Sequence, residues 1–171
     1  MNFSIAAIIR RLLAPRHELS VDGVVWQRLR RDLRARGLNA SRESGAFLLG
    51  TRNGRSARIT DYILYDDLDP HSLDTGIVRF NGAYYGALWA TCEERQLDVV
   101  ADIHVHPFGE DQSDSDRHYP MISQAGHVAL ILPRFAAEPI RAGRVGIYRY
   151  LGGKKWSPVP VRQRRAFFIE F

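Results

Sequence analysis

A chain of 171 residues, 45 % apolar, is long enough for a single domain with a proper hydrophobic core. Its one cysteine, Cys92, excludes an internal disulfide and any thiolate zinc site, and fits a reducing cytoplasm. The net charge of +5 is unevenly spread: residues 1–42 hold nine arginines against three acids, whereas residues 98–116 hold six acids and no Lys or Arg, so the basic surface and the acidic segment are different places.

In chain order, the N-terminal stretch SIAAIIRRLLAP predicts a short amphipathic helix ended near Pro15. Arg10 and Arg11 interrupt its apolar run, which falls well short of the roughly 18 residues that span a bilayer, so neither secretion nor membrane insertion is expected. Residues 1–19 are read as a helical extension and residues 20–171 as the domain. Ser20 is placed to cap a helix from Val21 to Arg36, with Val21, Val25, Leu29 and Leu33 on one stripe, arginines on the other face and Gly37 as its stop. Glu43 then leads into a strand over 46–50, and the Asn53-Gly54 turn makes a hairpin with a second strand over 57–65. Residues 66–81 read as an irregular connection. Helical periodicity resumes over 83–96, with either Tyr84, Leu88 and Cys92 or Tyr85, Trp89 and Cys92 on the buried face. The near-continuous apolar run 97–106 suits a central strand. After an acidic loop, 127–133, 144–151 and KKWSPVPV read as three further strands. This order describes an α+β domain, a central mixed β-sheet flanked by helices.

The chemistry concentrates in residues 102–116, DIHVHPFGEDQSDSD. Two residues apart on a strand, His104 and His106 share a face and reach one point in space. The Pro107-Phe108-Gly109 turn stops the strand and returns Ser113, Asp114 and Asp116 toward that point. A hydrolytic zinc site needs three protein ligands and one open position, which two histidines and one aspartate supply. Imidazole nitrogens with a carboxylate suit zinc better than magnesium, which prefers oxygens alone. Zinc brings a bound water to a pKa of about 7. A nearby glutamate then serves as proton carrier and a hydroxyl such as that of Ser113 as donor to the oxyanion.

A glutamate, a long gap, His-x-His-Pro and Ser-x-x-Asp in this order resemble the JAMM motif of the MPN-domain metallopeptidases. The residues that carry the resemblance are Glu43 in ESGAFLLG, His104, His106, Pro107 and Gly109 in HVHPFG, and Ser113 and Asp116 in SDSD. Together with the order of elements it spans roughly residues 20–160. It implies an MPN (cytidine-deaminase-like) fold and a zinc ion held by His104, His106 and Asp116. It also implies Glu43 as general base and acid, and Ser113 at the oxyanion. The implied reaction is hydrolysis of a peptide or isopeptide bond after the C-terminus of a ubiquitin-like protein, in maturation or deconjugation. The compact size resembles bacterial members encoded beside activating and conjugating enzymes, antiphage systems included. The His106–Ser113 loop is one residue shorter than the family's, which keeps Asp114 open as a substitute for Asp116.

Other residues carry ordinary expectations. His17, His71, His118 and His127 are read as surface or core histidines, Cys92 as a small core residue, and Trp26, Trp89 and Trp156 as packing residues. Glu110 and Asp111 are expected in solvent, and Arg162, Arg164 and Arg165 on a solvated basic edge. Two other function classes stand beside the enzyme: a non-catalytic MPN scaffold subunit, separable by metal content, and a DNA-associated relative using the basic face, separable by salt-sensitive binding.

Overall fold

A computed structural model describes residues 17–37, 41–137 and 139–171. The helix expected over residues 1–15 lies outside them. The chain enters through a short strand, β1 (Leu19–Val21), and then forms helix α1 (Gly23–Arg36). The helix begins later than its apolar stripe suggested, and its cap is Asp22, not Ser20: the Asp22 carboxylate accepts from the Val24 N–H at 2.8 Å. Leu19 and Val21 flank the half-buried Ser20, and this alternation satisfies a strand as well as a helix start, so Val21 pairs with Ile59 instead. The buried stripe of α1 is Trp26, Leu29 and Leu33, with Val25 only partly covered.

The hairpin forms where the turn signal placed it, from β2 (Gly45–Asn53) and β3 (Ser56–Leu64), with Gly54 at φ +61° between them. A single turn, α2 (Tyr65–Leu68), opens the connection that follows. Asp69, itself buried, pins that connection by accepting from the N–H groups of His71 and Asn81 at 3.0 and 2.9 Å. Helix α3 (Tyr85–Arg95) buries Leu88 and Cys92 but leaves Trp89 47 % exposed. The remaining elements are β4 (Asp98–Val105), α4 (Asp114–His118), β5 (Val128–Leu132), β6 (Gly146–Gly152), β7 (Lys155–Pro158), α5 (Val161–Phe167) and β8 (Phe168–Glu170). The short elements α4, α5 and β8 carry too few residues to show a period and leave no signal in the sequence.

The strands among the described residues join one mixed sheet in the order β7-β6-β5-β4-β2-β3-β1-β8. The β4–β5, β1–β3 and β1–β8 pairs are parallel and the others antiparallel. Helix α1 covers one face, where Ala46, Leu48, Ile103, Val105 and Leu130 join its stripe. Helix α3 and the 65–80 connection cover the other face, over Phe47, Leu49 and Ile63. On β4 the alternation sends Ile103 and Val105 toward α1, which leaves Asp102, His104 and His106 on the α3 side.

One expectation about charge is overturned. Arg164 is buried and pairs with Glu110 at 3.0 Å, so neither side chain is solely a solvated surface group. The partners are far apart in sequence, and only folding α5 against the acidic loop brings them together. Arg162, Arg165 and Asp111 are exposed as expected.

Candidate metal centre

Three consecutive residues at the entry to β2, Glu43 to Gly45, do three different jobs. Ser44 is fully buried and its hydroxyl donates to the Leu33 carbonyl at 2.6 Å, which ties the entry of β2 to the end of α1. Gly45 sits opposite His104 in the sheet, and a Cβ there would come within 2.2 Å of Tyr65 Cε2 and 2.8 Å of the Ile103 carbonyl. Only glycine lets the Tyr65 ring pass so close to the backbone. The Val105 N–H donates to the Ser44 carbonyl at 3.0 Å, which carries the β2–β4 pairing one step beyond Gly45 and His104. Glu43 is thereby brought beside His106.

The ring nitrogens converge. His104 Nε2 and His106 Nε2 are 2.9 Å apart, and they lie 3.3 and 3.2 Å from Asp116 Oδ1 and Oδ2 respectively. Both imidazoles are buried. Glu43 Oε1 stands 3.8 Å from His106 Nε2, while Glu43 Oε2 accepts the Val78 N–H at 3.1 Å. One carboxylate oxygen is thus held by the 65–80 connection and the other faces the histidines. The His106 backbone is fixed too: its N–H donates to the Leu132 carbonyl at 2.9 Å, and its carbonyl accepts from Phe135 at 2.8 Å. Phe135 belongs to a turn of three consecutive residues, Arg134 to Ala136, all at φ between 50° and 55°. Left-handed backbone at non-glycine residues is costly.

Helix α4 places the two candidate aspartates differently. Ser113 caps it, with Ser113 Oγ accepting from the Asp116 N–H at 3.2 Å and Asp116 Oδ2 accepting from the Ser113 N–H at 2.7 Å, a reciprocal capping box. This points Asp116 toward the histidines. Asp114 turns the other way, is largely exposed and pairs with Arg117 at 2.6 Å. Ser113 therefore has its oxygen engaged in the cap, and its hydroxyl proton is left to donate.

Protonation follows from this packing. Burial disfavours ionisation of Asp116, but the hydrogen bonds with His104 and His106 outweigh it and hold the carboxyl far below the usual carboxylate range. Burial also opposes charging of His104, and the Asp116 hydrogen bond, with the charges of Asp116, Asp102 and Glu43, raises its pKa above the ordinary value. His104, His106 and Asp116 each offer a donor atom within 4.8 Å of the others. Two imidazole nitrogens and a carboxylate oxygen fit one divalent transition-metal ion.

Sequence reading missed what lies around this cluster. Asp102, on the same strand face as the histidines, is buried; His127 Nε2 lies 2.6 Å from its Oδ1, and the Tyr65 hydroxyl donates to its Oδ2 at 3.2 Å. Burial, with the Asp102 charge beside it, pushes the Tyr65 hydroxyl well above its ordinary pKa, so it stays a donor. Strand alternation alone placed Asp102 on this face; its partners came from distant elements. Beside Asp116, a cleft of about 490 Å³ is walled by Val78, Phe80, Tyr85, Tyr119 and Met121. The Tyr85 hydroxyl donates to the Met121 carbonyl and ties the loop after α4 to α3. Among the other histidines, His71 pairs with Asp74, His17 contacts the Ala166 carbonyl, and His118 lines the cleft.

Comparison with known proteins places this geometry in context. The chain is 34 % identical over 67 residues to a protein of Sinorhizobium fredii named a probable metalloprotease. That match covers 39 % of this chain and 41 % of the length of the relative. No family model matches the chain. Its fold is similar to the solution structure of a Desulfitobacterium hafniense protein, at TM-score 0.62 and 14 % identity over 90 % of this chain and 92 % of that one. A Salinibacter ruber protein is similar at TM-score 0.50 and 18 % identity, over 82 % and 88 % of the two chains. Among the described residues no helix is long and apolar enough to cross a membrane.

Proposed function

We propose that this chain is a zinc metallopeptidase of the JAMM type, on an MPN fold. In this reading it hydrolyses the peptide or isopeptide bond that follows the C-terminus of a ubiquitin-like protein. The observation that carries it is the convergence of His104 Nε2, His106 Nε2 and Asp116 on one point with the pinned Glu43 beside them. The partial match to a probable metalloprotease supports the peptidase class.

His104, His106 and Asp116 would hold the ion, and when bound it supplies Lewis acidity. Glu43 Oε1 takes the proton of the attacking water and later delivers it to the departing amine; Oε2, fixed by the Val78 N–H, keeps the carboxylate in place through both transfers. The Ser113 hydroxyl donates toward the carbonyl oxygen as charge builds there. The cleft between Val78–Phe80 and Tyr119–Met121 holds an extended tail against aromatic walls. The substrate and its activating and conjugating enzymes belong, on this account, to a bacterial conjugation system.

Incubating wild-type and Glu43→Gln protein with a ubiquitin-like fusion, and resolving the products by mass, tests the reading. Cleavage at the C-terminus of the ubiquitin-like moiety by wild type alone, with both proteins equally metallated, supports it. Cleavage by Glu43→Gln at the wild-type rate refutes it.

A further inference from the structure

On the α1 side of the sheet, away from the histidines, a cavity of about 980 Å³ opens between α1, the turn Ala142–Arg144 and the α5–β8 junction. Among the described residues, Arg30, Arg141, Arg144 and Arg165 line it against one acidic side chain, Glu170. Arg141, Arg144 and Arg165 make no ion pair among the described residues. Arg30 Nε is buried with no hydrogen-bond partner, and Arg30 Nη1 reaches only the Ile140 carbonyl at 3.5 Å. Burial pulls the pKa of Arg30 down despite the nearby Glu170 charge, the mark of a cation not fully compensated by its surroundings.

The walls are preformed. A Cβ on Gly143 would come 2.8 Å from Arg165 Cα, so the turn and α5 are in close contact, and the buried side chains of Ile140 and Phe168 add apolar surface. Guanidinium forks match phosphate oxygens in pairs, and the space far exceeds a single phosphate. The chain's own first sixteen residues are a poor complement, since they carry Arg10, Arg11 and Arg16 and no Asp or Glu. We propose that this cavity binds a small phosphate-bearing ligand of nucleotide size, at a site separate from the metal centre.

Calorimetric titration of the full chain at physiological ionic strength, with inorganic phosphate, pyrophosphate and ATP as probes, tests the site. The expected result is saturable one-to-one binding of pyrophosphate and ATP, each on the order of tenfold tighter than phosphate. Arg144→Glu/Arg165→Glu, two exposed positions, weakens ATP binding by on the order of a hundredfold at an unchanged melting temperature. Arg30→Gln weakens it as well, and His104→Ala leaves it unchanged. Absence of saturable binding by all three probes overturns the proposal. So does ATP binding that survives the double substitution, or that disappears in His104→Ala and therefore belongs to the metal centre.

Discussion

The Asp102 carboxylate and the His127 ring, 2.6 Å apart and both buried, join the strand that carries His104 to a neighbouring element. Asp102 lies on β4 and His127 just ahead of β5, the parallel partner of β4. Removing one member of such a pair strands the other in a dry environment, which costs on the order of 3 kcal/mol. Asp102→Asn and His127→Ala are each expected to lower stability by about that amount in chemical denaturation. A loss below about 1 kcal/mol in both, the range of exposed pairs, contradicts the assignment.

Gly45→Ala is expected to be costly although it adds one methyl. The new carbon meets the Tyr65 ring and the Ile103 carbonyl, and overpacking of this kind costs about 1–3 kcal/mol. A shift of the strand to relieve it also displaces Glu43 and His104, so the denaturation midpoint and metal affinity fall together. An unchanged midpoint shows that Tyr65 moves aside freely.

The two neighbouring aspartates are expected to behave differently. Asp116→Asn removes an anionic donor and half of the capping box, and metal content drops sharply. Asp114→Asn loses only an exposed pair with Arg117, worth roughly 0–1 kcal/mol, and keeps its metal. Elemental analysis of the purified variants separates the cases, and equal metal loss in both speaks against the geometry of α4.

This choice shows where sequence reading ends. The histidine pair and the hairpin were legible because period-2 patterning and an Asn-Gly turn are local signals. In the sequence only the motif favours Asp116 over Asp114, since the contact that orients Asp116 is a capping box on a single helical turn within an acidic loop. Val78 was not legible as the holder of Glu43, because that bond runs through an irregular connection. Arg164 looked like a surface cation since its partner Glu110 lies on another element. The late start of α1 has the same origin: residues 19–21 suit helix or strand, and pairing with β3 and β8 decides.

Without metal, the site has a definite pH signature. His104 is raised above its ordinary 6.5, so its contribution to stability is complete below that value and is lost as pH climbs through its folded-state pKa. Asp116 is depressed below 3.8, so its contribution is present above that value and is lost as pH falls through its folded-state pKa. The apo protein is therefore expected to gain most from these groups between pH 3.8 and 6.5, and added metal to stabilise it increasingly above that window. Melting curves of metal-free and metal-loaded protein across pH check this; a metal-induced stabilisation that shrinks as pH rises past 6.5 contradicts it.

The most direct measurement is the metal content of the purified chain, determined beside that of His104→Ala after identical dialysis. The account predicts one zinc ion per wild-type chain and essentially none in the variant. Wild-type protein without bound metal after zinc loading, or a variant that retains a full complement, contradicts it.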